Sequence, residues 1–175
     1  IATKENKSLT GSKIRSRSQM LREFNPMLGH RGVRIAISYP EIYRMQLRAI
    51  FEAAYKLKGE GVEVQPEIMI PLVMTASEIK VVRNGKKIEG KQILGIRDIE
   101  EEVRSKLESD PIDYRVGTMI ELPAAVLQAG EIARYADFFS FGTNDLTQTT
   151  TGISRDDFNT FFSDYNEFDL LPSNP

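Results

Sequence analysis

The chain has 175 residues, of which 41% are hydrophobic and 27% are charged, and its formal net charge is −2. This is the composition of one ordinary globular domain, and it gives no electrostatic support for binding nucleic acid or a membrane. No cysteine is present, which excludes a disulfide framework and a thiol nucleophile within these residues. No apolar run approaches the roughly 20 residues that span a bilayer and no signal peptide is recognisable, so we expect a cytoplasmic protein.

The first 24 residues form a polar, basic segment, which we interpret as a linker leading into a short helix that ends near Phe24. The chain begins with Ile1 rather than Met, which suggests a fragment or a processed product. Because no aromatic residues are interleaved among the cations of this segment, a solvated face is favoured over a patch that binds a partner. The cations are Lys4, Lys7, Lys13, Arg15, Arg17 and Arg22.

The next part of the chain alternates strand and helix patterns. Residues 25–32 contain proline and glycines and predict a shaped loop, and residues 33–37 are an apolar run that predicts a strand. Pro40 suits the first turn of a helix, which Gly59 and Gly61 end. Residues 67–73 then predict a second buried strand.

A small insertion is expected after the helix that starts beyond Thr75. Asn84 and Gly85 lie between residues typical of β-structure, which is a hairpin signal. Asp98 is a plausible cap for the helix that follows it.

Two more strands are expected at residues 114–120 and 138–141, with a helix at 123–135 between them and a short helix near 158–165. Four short strands alternating with helices predict an α/β fold with a parallel sheet. Four strands are too few for a closed eight-stranded TIM (β/α)8 barrel, which takes about 250 residues. The pattern therefore indicates either a small open sheet or part of such a barrel.

Glu121 and Asp145 follow the last two predicted strands. The carboxyl ends of parallel strands meet at the face where α/β proteins place their chemistry, so the two carboxylates are expected to converge. One or two carboxylates, with water and substrate, are the usual ligands of Mg²⁺. The alternative is that both acids only favour helix starts. Thr143 and Asn144 support the metal interpretation because a hydroxyl and an amide beside the carboxylate can orient an anionic oxygen.

Arg31 and Arg155 are candidate anion-binding residues. Arg31 lies in the glycine-containing loop, where backbone can approach a ligand closely, although a surface ion pair is the usual fate of an arginine. Arg155 is a weaker candidate of the same kind. His30, the only histidine, is interpreted as a structural hydrogen-bonding group rather than as a general base or phosphohistidine.

Several stretches in register resemble the phosphoenolpyruvate (PEP)-binding barrel of the pyruvate, phosphate dikinases, which belong to the PEP-utilising enzymes. The resemblance implies an incomplete TIM barrel of about four strands over residues 25–175, after a linker and short helix over residues 1–24. The matching stretches are residues 25–32, 39–46, 48–54, 67–73, 117–123, 139–148 and 152–157.

The resemblance implies a reaction for the parent enzyme. These enzymes interconvert ATP, phosphate and pyruvate with AMP, pyrophosphate and PEP, and a phosphohistidine on a swivelling domain carries the phosphoryl group. The barrel binds pyruvate or PEP with Mg²⁺, whereas ATP and phosphate bind in other domains. It also carries the subunit interface, so we expect a homodimer.

The resemblance also assigns roles to individual residues. Glu121 and Asp145 are expected to hold Mg²⁺, and Gly142, Thr143 and Asn144 to contact the substrate beside it. Arg31 and Arg155 match arginines of the family that face the same site.

The chain departs from the family pattern by lacking the phosphocarrier histidine, the acid cysteine and two further arginines. We therefore assign no catalytic residue within this segment and expect it to be inactive alone. PEP synthase and enzyme I of the phosphotransferase system share the motifs around Glu121 and Asp145, and both remain alternatives. The alternative that is not an enzyme is a dimerisation or binding module.

Overall fold

The computed structural model describes residues 10–22, 26–154 and 157–171. It divides into two structural units, residues 1–30 and residues 31–175. In the first unit, helix α1 spans Gly11–Met20 and none of its residues is buried. Phe24, where the sequence predicted the end of this helix, lies outside the described residues.

The second unit contains a parallel sheet with helices between its strands, as the sequence predicted. Its strands are β1 Glu67–Ile70, β4 Arg115–Ile120 and β5 Phe139–Phe141, in the order β1-β4-β5. Ile70 of β1 pairs with Thr118 of β4, which pairs with Phe139 of β5. All three strands point the same way, so their carboxyl ends lie at one edge of the sheet.

Eight helices of the second unit lie within the described residues, together with a 3-10 turn at Phe158–Thr160. None of the helices described in either unit is both long and apolar enough to cross a membrane. The helices are α2 Val33–Ser38, α3 Pro40–Gly59, α4 Ala76–Asn84, α5 Ile96–Lys106, α6 Pro123–Leu127, α7 Ala129–Ile132, α8 Thr143–Thr151 and α9 Phe162–Glu167.

The strand predicted at residues 33–37 is wrong, because this segment is helix α2. The amide of Ala36 donates to the carbonyl of Gly32, and Val33 and Ala36 are buried three positions apart while Ile37 is exposed. A short apolar run has no period that separates a buried strand from a buried helix. Here packing against α3 and α4 decides the matter, and the described sheet has three strands rather than four.

The predicted hairpin is present, but its turn lies elsewhere. Strands β2 Lys86–Ile88 and β3 Lys91–Ile93 pair antiparallel, with Gly90 in the turn between them at a φ of 71°. Gly85, at a φ of 76°, ends helix α4 instead. Positive φ suits glycine in both roles, so the sequence signal alone could not assign the turn.

Two predicted helices are confirmed with altered bounds. The helix expected at residues 123–135 is divided into α6 and α7 at Gln128. Asp98 lies in the first turn of α5, where its carboxylate accepts a hydrogen bond from the amide of Gly95 at 2.9 Å. Asp98 therefore satisfies the free amide of Gly95, the residue before the helix, from its third position, as the acid of a capping box does.

The core lies between the sheet and helices α2 to α5. Phe51 of α3, Ile79 of α4, Ile99 of α5 and Ile70 of β1 are fully buried there. Across the α3–α5 interface, the Tyr55 hydroxyl donates to the buried carboxylate of Glu100. This packing fixes β1 and β4 from one side, and so fixes what lies at their carboxyl ends.

Candidate functional site

The carboxyl edge of the sheet is formed by the residues that follow β1, β4 and β5. Leu72, Glu121 and Gly142 lie just beyond the three strands. The amide of Gly142 donates to the carbonyl of Ile120 at 3.1 Å, which continues the ladder by one residue. The predicted convergence of residues after neighbouring strands is therefore seen in the backbone itself.

Glu121 is a buried acid at this edge, with only 4% of its surface exposed. Its Oε1 accepts a hydrogen bond from the amide of Leu72 at 2.6 Å. A charged group in such a position is unfavourable unless it is hydrogen-bonded or paired. The residues around Glu121 therefore decide whether its carboxyl group can be buried there in the charged form.

Gly142 leaves the space that the Glu121 side chain occupies. A Cβ atom built at position 142 would lie 2.6 Å from the Cβ and 2.8 Å from the Oε2 of Glu121, and 2.9 Å from the Sδ of Met119. Any other residue at this position would push the carboxylate away. Gly142 therefore contributes to the site because its missing side chain leaves room for the Glu121 carboxyl group.

Asp145 brings a second carboxyl group to Glu121. It lies in the first turn of α8, which starts directly after Gly142. Burial, a hydrogen bond with the Asp145 side chain and the negative charge of Asp145 together raise the pKa of Glu121. The amide of Leu72 and the charge of Arg31 act in the opposite direction but do not outweigh them. The two carboxyl groups thus form a pair that holds a proton more readily than either acid alone.

Arg31 lies on the same side of the molecule as the pair, since its positive charge acts on Glu121. Its guanidinium is exposed. Gly32, next to it, has a φ of 57°, and a Cβ there would lie 2.6 Å from the carbonyl oxygen of Pro71. The loop that carries Arg31 is therefore packed closely on the turn that follows β1.

The other predicted residues lie in three different parts of the chain. Thr143 and Asn144 are exposed at the start of α8, beside Asp145. Arg155 lies outside the described residues. His30 falls in the first structural unit rather than the second.

Leu72 and Gly32 contribute to the site but were not singled out in the sequence. Leu72 has a φ of 59°, and leucine carries no sequence signal for such a conformation. Gly32 was visible only as one of several glycines in a loop. A glycine directly before an apolar run gives no sign that a distant carbonyl fills the space of its missing side chain.

The pair has the donor atoms that Mg²⁺ prefers. Carboxylate oxygens are hard ligands, and Mg²⁺ is usually held by one or two of them with water or substrate in its other positions. A cation between the two carboxylates would offset the repulsion between the two acids. Within residues 10–22, 26–154 and 157–171, no three histidine, aspartate or glutamate side chains form a larger metal centre.

The fold and this edge define an α/β domain with an acidic pair at the carboxyl ends of parallel strands. The sequence matches the family described as PEP-utilising enzyme, PEP-binding domain, over residues 2–172. The chain therefore belongs to this family.

Curated relatives carry a more specific name. The chain is 63% identical over 169 residues to the pyruvate, phosphate dikinase of Treponema pallidum, covering 97% of this chain and 19% of the relative. It is 50% identical over 165 residues to that of Rhizobium meliloti, covering 94% of the chain and 17% of the relative. The chloroplastic pyruvate, phosphate dikinase of Mesembryanthemum crystallinum is 51% identical over 162 residues, covering 93% of this chain and 16% of the relative. The chain thus spans less than a fifth of the length of these relatives.

Gly142→Ala should destabilise the second unit by about 1–3 kcal/mol, because the added methyl group overlaps the side chain of Glu121. Chemical denaturation followed by circular dichroism measures this change. Gly130→Ala is the matched control, since a Cβ at the exposed Gly130 would contact nothing within 4 Å. Equal stability of the two variants would contradict the packing described for Gly142.

Glu121→Gln should make stability less dependent on pH when no divalent cation is present. Below the ordinary pKa of 4.5 the carboxyl group is protonated in both states. Because its pKa is raised in the folded state, the unfolded chain ionises first, and wild-type stability falls as the pH rises from 4.5 through the folded pKa. Glutamine keeps an acceptor for the Leu72 amide and offers a donor to Asp145.

The advantage of Glu121→Gln over wild type should therefore grow with pH and level off once the folded carboxyl group has ionised. Denaturation series at several pH values in EDTA measure it. A difference that does not change with pH would contradict the raised pKa of Glu121 in the folded state.

Proposed function

We propose that this chain is the PEP- and pyruvate-binding segment of a pyruvate, phosphate dikinase. The observation that carries the proposal is the contact between Glu121 and Asp145 at the carboxyl edge of the sheet, in a chain of the PEP-binding family. The names of the relatives favour the dikinase over PEP synthase and enzyme I. The complete enzyme would convert ATP, phosphate and pyruvate to AMP, pyrophosphate and PEP, and the reverse.

In this proposal Glu121 and Asp145 hold Mg²⁺. When bound, the cation acts as a Lewis acid that stabilises negative charge on the enolate oxygen of pyruvate. Glu121 is held by Leu72 and has little freedom to move, whereas Asp145 is only partly buried and can adjust to the substrate. Both carboxyl groups must be ionised to bind the cation, so binding should weaken at low pH.

Arg31 and the start of α8 would bind the anionic parts of the substrate. Arg31 can neutralise charge on the transferring phosphoryl group, which spreads over its equatorial oxygens. Thr143 and Asn144 present backbone amides, a hydroxyl and a side-chain amide at the start of a helix, where anions are favoured. Gly142, whose own amide is bonded to Ile120, would let the substrate approach the backbone closely. Arg155 is proposed for the same role as Arg31.

The segment would be part of a larger barrel. The parallel sheet and alternating helices are compatible with a portion of a TIM barrel, whose chemistry is placed at the carboxyl ends of the strands. Within the described residues, β1 and β5 each have one unpaired edge. Unpaired edges favour association, so we keep the prediction of a homodimer, which sedimentation of the chain checks. The cytoplasmic location remains a prediction, since some relatives are named chloroplastic.

Glu121→Ala in the full-length protein should lower PEP formation by roughly 10³-fold, the usual loss when a group that stabilises developing charge is removed. A single turnover of AMP and pyrophosphate formation from ATP and phosphate should persist, because these substrates would bind elsewhere and the phosphoryl group would remain on the phosphocarrier histidine. Glu131→Ala, which removes an exposed acid paired with Arg134, is the matched control and should be neutral.

The same assay separates the alternatives. Pyrophosphate formation that requires inorganic phosphate supports the dikinase, and its absence supports the synthase or enzyme I. Unchanged activity in Glu121→Ala would instead support a binding or dimerisation module. The chain alone should form no PEP, and detectable product from it would overturn the proposal that the site is incomplete.

A further inference from the structure

The turn after β1 connects three parts of the second unit through three consecutive residues. The carbonyl of Ile70 accepts a hydrogen bond from the fully buried Thr118 hydroxyl at 2.8 Å. The carbonyl of Pro71 accepts one from the amide of Val33 at 3.0 Å. The amide of Leu72 donates to Glu121 at 2.6 Å. The turn therefore joins β4, the start of α2 and the acidic pair.

Leu72 adopts a conformation that is unfavourable for its residue type. Its φ is 59°, in the left-handed region where a Cβ crowds the following carbonyl. The described residues contain two other such cases outside glycine, Glu108 and Asp169. Both are exposed and follow the ends of α5 and α9, where this conformation is common. Leu72 is buried and follows a strand, so the same explanation does not apply.

The left-handed conformation goes together with the contact to Glu121. The Leu72 side chain is 1% exposed and anchors in the core, while its amide faces the carboxylate. Pro71 and the close approach of Gly32 hold the preceding peptide in place. Backbone strain of this kind persists where several surrounding contacts hold the residue in the strained conformation, and it is concentrated at functional sites.

We propose that the turn at Pro71 and Leu72 is a positioning device for the metal-binding carboxylate. By holding Oε1 of Glu121, the Leu72 amide directs Oε2 to the side of Gly142. Through Gly32, the same turn fixes the loop that carries Arg31. One strained turn thus sets both the metal ligand and the phosphoryl-binding arginine. This inference rests on the proposed function of the pair.

The direct test replaces the amide of Leu72 by an ester in the full-length protein, using the α-hydroxy analogue of leucine. This removes one N–H group and leaves the side chain unchanged, and it also makes the Pro71 carbonyl, which accepts from Val33, a weaker acceptor. The readout is Mn²⁺ binding in the presence of oxalate, an enolpyruvate mimic, followed by electron paramagnetic resonance without nucleotide. We expect binding to weaken about tenfold, as when a partner of a metal ligand is removed, and excess Mn²⁺ to restore oxalate binding.

An ester at Met74 is the matched control. The Met74 amide donates to Glu78 at the same distance, 2.6 Å, but at an exposed position at the start of α4. This variant loses an equivalent hydrogen bond without touching the pair, so it should bind Mn²⁺ as wild type does. Equal affinity of the two ester variants would overturn the inference while leaving the proposed function intact.

Gly32→Ala tests the turn from its other side with every amide in place. The added methyl group would displace the Pro71 carbonyl, so Mn²⁺ binding should weaken and again recover with excess cation. Wild-type affinity in this variant would count against the inference. Failure of the wild-type protein to bind Mn²⁺ with oxalate, or unchanged binding in Glu121→Ala, would overturn the proposed function and the inference together.

Discussion

The burial of the Glu121 carboxyl group is the constraint on which the rest of the site depends. A carboxylate removed from water beside a second carboxylate is unfavourable, and the chain compensates with one backbone amide and one nearby arginine. These compensations are partial, because the pKa of Glu121 remains raised. A cation bound at this edge would supply the compensation that is missing, which is the property that the proposed function requires.

The core serves this edge by fixing the strands that end there. Helices α2 to α5 pack around β1 and β4, so the residues beyond the strands have little freedom. Gly32 and Gly142 allow close approaches that a side chain would prevent, and Leu72 accepts an unfavourable conformation. Unfavourable backbone conformations and close approaches are thus found at the edge of the sheet, whereas the core is packed regularly. This is usual when a stable scaffold supports a functional site.

The sequence predicted the elements whose signals are local. Strands were predicted at residues 67–73, 114–120 and 138–141, and the structure has them at 67–70, 115–120 and 139–141. The positions of Glu121 and Asp145 after the last two strands follow from the parallel sheet. Residues 33–37 were assigned wrongly because apolar content alone does not separate strand from helix, and packing decided the outcome. The hairpin turn was misplaced because glycine both ends helices and makes turns.

The parts of the site that sequence reasoning missed depend on contacts between distant residues. Leu72 meets Glu121 only after β1 and β4 have paired, and nothing in its neighbours predicts a positive φ. The space at Gly142 is likewise defined by a side chain from another strand. Such features follow from the assembled fold, so the sequence could indicate which acids converge but not what holds them.

Calorimetric titration of the full-length protein with oxalate, with and without Mg²⁺, tests the central claim most directly. We expect oxalate binding that requires Mg²⁺ and that is lost in both Glu121→Ala and Asp145→Ala, since each removes one ligand of the proposed pair. Binding that is independent of Mg²⁺, or that survives both substitutions, would contradict the assignment of the Glu121–Asp145 pair as the metal site.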